Sequence, residues 1–556
     1  MPEFMVALEG KHLGERGTPE TLRAHLTRLP AADVIQMATK IMSVLEDRSG
    51  PSFLVRQFKF LELFSPEDGV KVDRLLSKTS GNGGVDAIFF PGQLLTLMKL
   101  AASICEPGPP LGTLNAPQMS HFLLAALQVN DVRDLAPGIA PDFDATDLVA
   151  AVVFSFRNAE QNRHIDVRAS TGRAVQLWLN RSRPWPEMLQ DPDAFSMEHF
   201  GVSLSRFIAI ASAPAFHRMQ TDFNDPGSVL FIPEQFFSQT QIDVDTTTSV
   251  IDALTFEPSP GDPITAQATY WALADLAARP LFRCGTEVMT ASSLRYGLER
   301  ATTGIFWMLH SSHQGSVGPF TEHFGFLFED YCVNVAKGMA KETLTVSGEI
   351  PYGPRARRVR SSDVLISTRS IRNLGGHVFI ECRAGRPRLE VFESGSIDAF
   401  REYLDDLMRK LGQLDQRIRD HMNGDFDIPG DVALSNETYV PMLVLDEPFQ
   451  WIPALGRLLD GQVRERRLFR AQNATSVVVC GVSEFEYLVG ACERGADLLD
   501  LLLGYLETGR AAGLEEYVHS RTGPLQVPRY TEEGWEAWGA LMRLELFGVP
   551  PLAEVE

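Results

Sequence analysis

Between about residue 320 and residue 480 the spacing of apolar side chains changes repeatedly, and the order of those changes limits the fold more than any other feature of the chain. Phe324, Phe328, Tyr331 and Val335 form one apolar stripe at helical spacing, and Gly325, Glu329, Cys332 and Ala336 form a second stripe beside it. A helix that is apolar or small on two sides belongs between layers. Short β-branched runs follow at Leu344 to Val346, Val364 to Ile366 and Val378 to Ile380, bounded by Gly and Ser. Residues 396–421 return to helical spacing, with Ile397, Phe400, Leu404, Leu407, Leu411, Leu414 and Ile418 in register. Strands are expected again at Tyr439 to Leu445 and Ser476 to Cys480, the second leading into a helix capped by Ser483 and Glu486. Helix, three strands, helix, strand and strand give a mixed α/β layer.

The remainder reads differently. Thr18-Pro19-Glu20 opens a helical region, with Thr as cap and Pro in the first turn. Glu106-Pro107-Gly108-Pro109-Pro110 breaks it, and residues 264–313 again read as one or two helices. The expected division is a mainly helical N-terminal region over 5–300, with a break near 106–118, an α/β core over 301–495 and a helical segment over 496–556.

Composition enters as a constraint on partners. The chain has 556 residues, 44% hydrophobic and 22% charged, which excludes a disordered or fibrous chain. Its net charge of −21 argues against coating nucleic acid by bulk charge. The six cysteines include no C-x-x-C pair, so a zinc knuckle is not expected, and they read as buried thiols in a reducing compartment. No 18-residue apolar run and no leader pattern is present, so a cytoplasmic protein without a membrane contact is expected. His310-x-x-His313 with His323 lacks a completing acid or cysteine, and Gly81-Asn82-Gly83-Gly84 lacks the Lys-Ser/Thr of a phosphate loop.

Two segments carry chemistry: Ser361-Ser362-Asp363-Val364-Leu365-Ile366 and His377-Val378-Phe379-Ile380-Glu381-Cys382-Arg383. Alternate side chains share a strand face, so Glu381 and Arg383 project together. If the two strands pair as a hairpin, Asp363 and Glu381 converge, and hard divalent cations such as Mg²⁺ or Mn²⁺ take carboxylate oxygens. From Pro354 to Arg388 the bases are Arg355, Arg357, Arg358, Arg360, Arg369, Arg372, Arg383, Arg386 and Arg388, against Asp363 and Glu381 alone. That window carries +7, and the rest of the chain −28. Arginine suits bidentate phosphate contact.

These residues resemble the PD-(D/E)XK nuclease superfamily, with Asp363 as the first acid, Glu381-Cys382-Arg383 as the tripeptide and Glu329 at the acidic position of the preceding helix. The resemblance covers about 160 residues (roughly one domain's worth). It implies a restriction-endonuclease-like α/β core, Mg²⁺ or Mn²⁺ held by Asp363 and Glu381, and hydrolysis of DNA or RNA phosphodiesters. Arg355, Arg357, Arg358, Arg360, Arg386 and Arg388 would then grip the backbone. By analogy with proteins of this build, it also implies an antiviral defence effector. Arg383 stands where the family has Lys, and an Arg stays protonated; Lys410 on the following helix is a candidate for the displaced ammonium. Two alternatives follow: a nuclease-like protein that binds nucleic acid without cutting it, or an interaction subunit whose N-terminal region meets a protein partner or a second copy.

Overall fold

The computed structural model describes residues 7–46, 52–78, 85–108, 112, 114–134, 148–161, 165–220, 232–258, 273–283, 288–313, 317–354, 358–369, 375–429, 437–446, 453–471, 473–510 and 512–549. The chain is a mixed α/β protein built on a five-stranded sheet. Helix α1 (Val317–Lys337) leads into β1 (Leu344–Gly348), β2 (Val364–Arg369) and β3 (Gly375–Arg383). Helix α2 (Ile397–Met422) crosses to β4 (Glu437–Leu445), and α3 (Pro453–Glu465) to β5 (Val478–Gly481). The sheet order is β5-β4-β3-β2-β1. β1, β2 and β3 pair antiparallel, while β3, β4 and β5 pair parallel. A parallel neighbour needs a long crossover, and α2 and α3 supply the two that the sheet requires.

The period-2 pattern sorts the sheet into two buried faces. Ile366, Val378, Ile380, Met442 and Cys480 share a core with Phe324, Phe328, Cys332 and Val335 of α1. Leu365, Phe379, Leu443 and Val479 share another with Phe400, Leu407, Leu411 and Leu414 of α2. The central strands are therefore covered on both sides, which is why they read as continuous apolar runs. Ser396 caps α2 by accepting from the Ala399 amide at 3.2 Å.

The first face runs on into three further helices, α4 (Val482–Glu493), α5 (Leu498–Glu507) and α6 (Arg529–Phe547). It also takes in residues from Ala174 to Leu309, so the N-terminal region and the sheet share one core. A separate core joins Leu8 through Val132 to Phe256, Phe282 and Tyr296. A cross-brace fixes α1, α4, α6 and the helix Val167–Ala174 together. Tyr331 Oη donates to Glu486 Oε1 at 2.5 Å and lies 2.8 Å from Thr531 Oγ1, and Arg173 Nη1 approaches the same Glu486 oxygen at 3.5 Å. The close crossing depends on Gly172, where a Cβ would stand 2.2 Å from the Thr531 carbonyl oxygen.

Two local expectations change. The helix after β5 is capped by Glu484, whose Oε2 accepts from the Gly481 amide at 2.9 Å, and not by Ser483 with Glu486. Glu486 is instead wholly buried in the brace, and Ser483 Oγ accepts from Arg173 at 3.1 Å. Residues 264–313 are not purely helical. Leu281–Arg283 and Val288–Ala291 pair antiparallel, and Ile232–Pro233 joins them in a small sheet whose backbone pairing overrides the weak helical period. Gly81-Asn82-Gly83-Gly84 lies outside the described residues. Among the described residues no helix is long and apolar enough to cross a membrane.

Candidate active site at the end of the central strands

Val364 of β2 faces Ile380 of β3, and one more step of that antiparallel register brings Asp363 opposite Glu381. Directly opposed residues share a face with their Cβ atoms about 5 Å apart. Asp363 is held there by the Cys382 backbone amide, which donates to its Oδ2 at 2.7 Å. Both carboxylates are buried, at 8% and 6% exposure. Lys410 comes from α2 and donates from Nζ to Glu381 Oε1 at 2.6 Å. Its position follows from the helix: Lys410 is three residues beyond Leu407 and beside Leu411, on the stripe that α2 turns to the sheet.

Glu329 of α1 completes the group electrostatically. Burial pushes its carboxyl up to about 7; the Lys410 charge works against the rise, while Glu349 and Glu381 add to it. Asp363 is driven well above the usual carboxylate range, first by burial and then by the charges of Glu381 and Glu329. Burial alone would lower the Lys410 ammonium, but Glu381, Asp363 and Glu329 outweigh it and raise it. Three carboxyl groups thus surround one cation in a place where charge is poorly solvated. Such a surplus holds protons, or attracts cations, that an exposed cluster would not.

The arginines are distributed otherwise than their sequence clustering suggests. Arg383 shares the strand face with Glu381, as expected, but its guanidinium pairs with Asp406 of α2 and lies 5.3 Å over the Tyr403 ring. Asp406 and Lys410 are one helical turn apart, so α2 answers Arg383 with an acid and Glu381 with a base. Arg386 is withdrawn from solvent: its Nη2 and Nε reach Asp446 Oδ2 at 2.6 and 2.9 Å, both side chains are 3% exposed, and Phe306 stacks at 4.4 Å. It braces the strand ends and is not part of an exposed phosphate grip, because its charge is met inside the protein. Arg388 is exposed and pairs with Glu402 at 2.9 Å, and Arg360 pairs with Glu349 at 2.9 Å. Arg358 and Arg369 are exposed, while Arg355, Arg357 and Arg372 lie outside the described residues.

Asp363 and Glu381 are the pair able to take a divalent cation. Each has a second oxygen beyond that contact: Oδ1 of Asp363 beyond the Cys382 amide, and Oε2 of Glu381 beyond Lys410. Among the described residues no group of three or more His, Cys, Asp and Glu side chains closes on one metal position. Two carboxylates completed by water and phosphate nevertheless fit Mg²⁺, which commonly uses only one or two. The histidines are engaged elsewhere, with His313 Nε2 accepting from the Gln190 amide at 3.0 Å and His323 set edge-on to Trp185 at 4.7 Å. The five described cysteines are buried and free.

Sequence reasoning missed Asp406 and Asp446, because their partners lie 23 and 60 residues away. The one available signal was their place: Asp406 on the α2 stripe beside Leu407, and Asp446 directly after an apolar strand. No family model, curated protein or solved structure matches the chain.

Proposed function

We propose that the chain is a metal-dependent nuclease with a restriction-endonuclease-like core of the PD-(D/E)XK type. The observation that carries the reading is the Lys410–Glu381 contact at 2.6 Å, beside an Asp363 fixed to the Cys382 amide. It provides an acid, acid and ammonium set at one strand end although Arg383 is turned away toward Asp406. The order of α1, three antiparallel strands, α2 and a parallel fourth strand supports the same reading.

Asp363 and Glu381 would hold Mg²⁺ or Mn²⁺, which when bound lowers the proton affinity of coordinated water and screens phosphate charge. Lys410 would hold Glu381 in place and set its ammonium against the charge that builds on a phosphoryl oxygen. Glu329, with its carboxyl at about 7, would exchange a proton near neutral pH. Arg358 and Arg369 are the described arginines of the basic window that are exposed and in no ion pair among the described residues, and so open to backbone contact. A second reading, nucleic-acid binding without cleavage, draws on the burial of Arg383 and Arg386 in ion pairs.

Purified full-length protein with Mg²⁺ or Mn²⁺ should cleave at least one of single- or double-stranded DNA or RNA. Glu381→Gln should cut the rate by about 10³-fold and Lys410→Met by about 10²-fold, the scale for losing a charge aimed at a reacting phosphate. Absence of cleavage on every substrate, with binding that weakens steeply as salt rises, would favour the second reading. Wild-type rates in Glu381→Gln would end the first.

A further inference from the structure

A cavity of about 680 Å³ opens between the N-terminal helices and the segment that follows the catalytic strand, away from the acid cluster. That volume is in the range used for cofactor-sized molecules. Its wall combines rings from Tyr296, Trp307 and Phe392 with the guanidinium groups of Arg157, Arg279, Arg295 and Arg300. Among the described residues that line it, the acids are Glu299 and Glu393. Glu299 is already committed to Arg295 at 2.8 Å, and Arg279 reaches out to Glu257 at 2.6 Å. Arg157 donates to the carbonyl oxygens of Phe392 and Glu393 at 2.7 and 2.6 Å.

Arg300 is different. Its Nε is buried with no hydrogen-bond partner, and no carboxylate among the described residues pairs with it. Burial, followed by the like charge of Arg279, pulls its guanidinium down to about 10. Arg300 is only partly exposed, and a guanidinium nitrogen left inside the protein without a partner is costly and seldom kept without compensation. Here it stands in a ring-lined space that a molecule can fill.

We propose that this cavity binds a small molecule of the nucleoside phosphate class, its phosphate on Arg300 and its planar base against the rings of Trp307 and Tyr296. Arginine matches phosphate geometry, and a flat base matches aromatic walls. The site is independent of the nuclease reading, since it shares none of Asp363, Glu381, Glu329 or Lys410. Its wall does touch the core, for Arg386 lies 5.4 Å over the Trp307 ring and 3.5 Å from the Thr303 carbonyl oxygen.

The test titrates the full-length protein in EDTA with ATP, GTP, CTP and UTP, following tryptophan fluorescence and heat. Binding of at least one nucleotide is expected, with adenosine and tripolyphosphate each at least about tenfold weaker than the best nucleotide, because each offers half of the contacts. Arg300→Gln should weaken that nucleotide by about tenfold or more and, having lost a half-buried charge with no ion-pair partner among the described residues, should melt no lower than wild type without ligand. Trp307→Leu gives a second variant that should weaken the nucleotide and leave tripolyphosphate unchanged. Glu381→Gln should bind as wild type does. No binding of any nucleotide at millimolar concentration overturns the proposal, as does full affinity in Arg300→Gln. Equal binding of tripolyphosphate removes the base from it, and loss of binding in Glu381→Gln moves the ligand to the acid cluster.

Discussion

Two buried carboxylate clusters share α1, which gives Tyr331 to one and Glu329 to the other, and the difference between them is one of stoichiometry. In the brace, one acid, Glu486, meets one cation, Arg173, with the hydroxyls of Tyr331 and Thr531 around it. At the strand end, Glu329, Asp363 and Glu381 share the single ammonium of Lys410. Burial pushes both Glu486 and Glu329 up to about 7, so a raised carboxyl by itself does not separate structure from function. What separates them is the balance of charge. The brace matches its one acid with one cation, although Glu486 Oε2 and Arg173 Nε are buried there without a hydrogen-bond partner. The strand end carries acids in excess and is eased by any added positive charge.

That contrast can be broken most sharply in the brace. Arg173→Met leaves Glu486 buried without its cation, and loss of one member of a buried pair costs about 3–5 kcal/mol. Urea unfolding in EDTA measures it, and a loss below about 1 kcal/mol, the scale of an exposed pair, would mean that the brace does not depend on its ion pair. The strand end should respond with the opposite sign. Asp363→Asn keeps an oxygen for the Cys382 amide but removes a carboxyl that folding forces toward its protonated state. The variant should be more stable than wild type at neutral pH without metal, within the range of about 0.5–2 kcal/mol common for single stabilising substitutions. It should also lose any rise in melting temperature that Mn²⁺ gives the wild type, as mass action requires once a ligand group is gone. A destabilised Asp363→Asn that still responds to Mn²⁺ would show the two clusters to be alike.

Much of this geometry was legible in the sequence where periodicity and short range decide. The apolar run into Glu381 and the spacing back to Asp363 were enough to name both acids, while Lys410 entered only as a candidate ammonium suggested by the resemblance. The arginine window was legible only in part, for a physical reason. A charge count along the chain sees only neighbours, whereas Arg383, Arg386, Arg388 and Arg360 are met by Asp406, Asp446, Glu402 and Glu349, three of which lie outside the counted window on one side and one on the other. Two of the window's arginines, Arg383 and Arg386, are therefore met inside the fold, and two more, Arg388 and Arg360, are met in surface ion pairs. Arg300 escaped notice for the converse reason. Nothing beside it in sequence marks it as unpaired, and its cavity takes walls from residue 157, from about residue 195 to 200, from 253 to 312 and from 392 to 393.

The smallest effect is also the most specific, because it separates the two clusters by the pH at which each acts. Glu486 sits at about 7 with Arg173 present, and the Arg173 charge pulls it down to that value against burial. Without Arg173 the folded-state carboxyl moves above 7, while the unfolded value stays near 4.3. Between the unfolded value and 7 both proteins take up a proton on folding, so both lose stability alike as pH rises. Above 7 the wild-type carboxyl is ionised in both states and contributes no slope. In Arg173→Met the folded state still binds the proton and the unfolded state does not, so its stability continues to fall, by at most about 1.4 kcal/mol per pH unit. The deficit of the variant should therefore be flat from pH 5.5 to 6.5 and about 1 kcal/mol larger at pH 8. For Asp363→Asn the same linkage runs the other way. Wild-type Asp363 loses stability as pH rises from its unfolded value toward its raised folded one, so the gain from Asn grows across that window. A deficit that widens in one variant while a gain widens in the other is what one cation per acid, against one cation for three, requires of the two clusters.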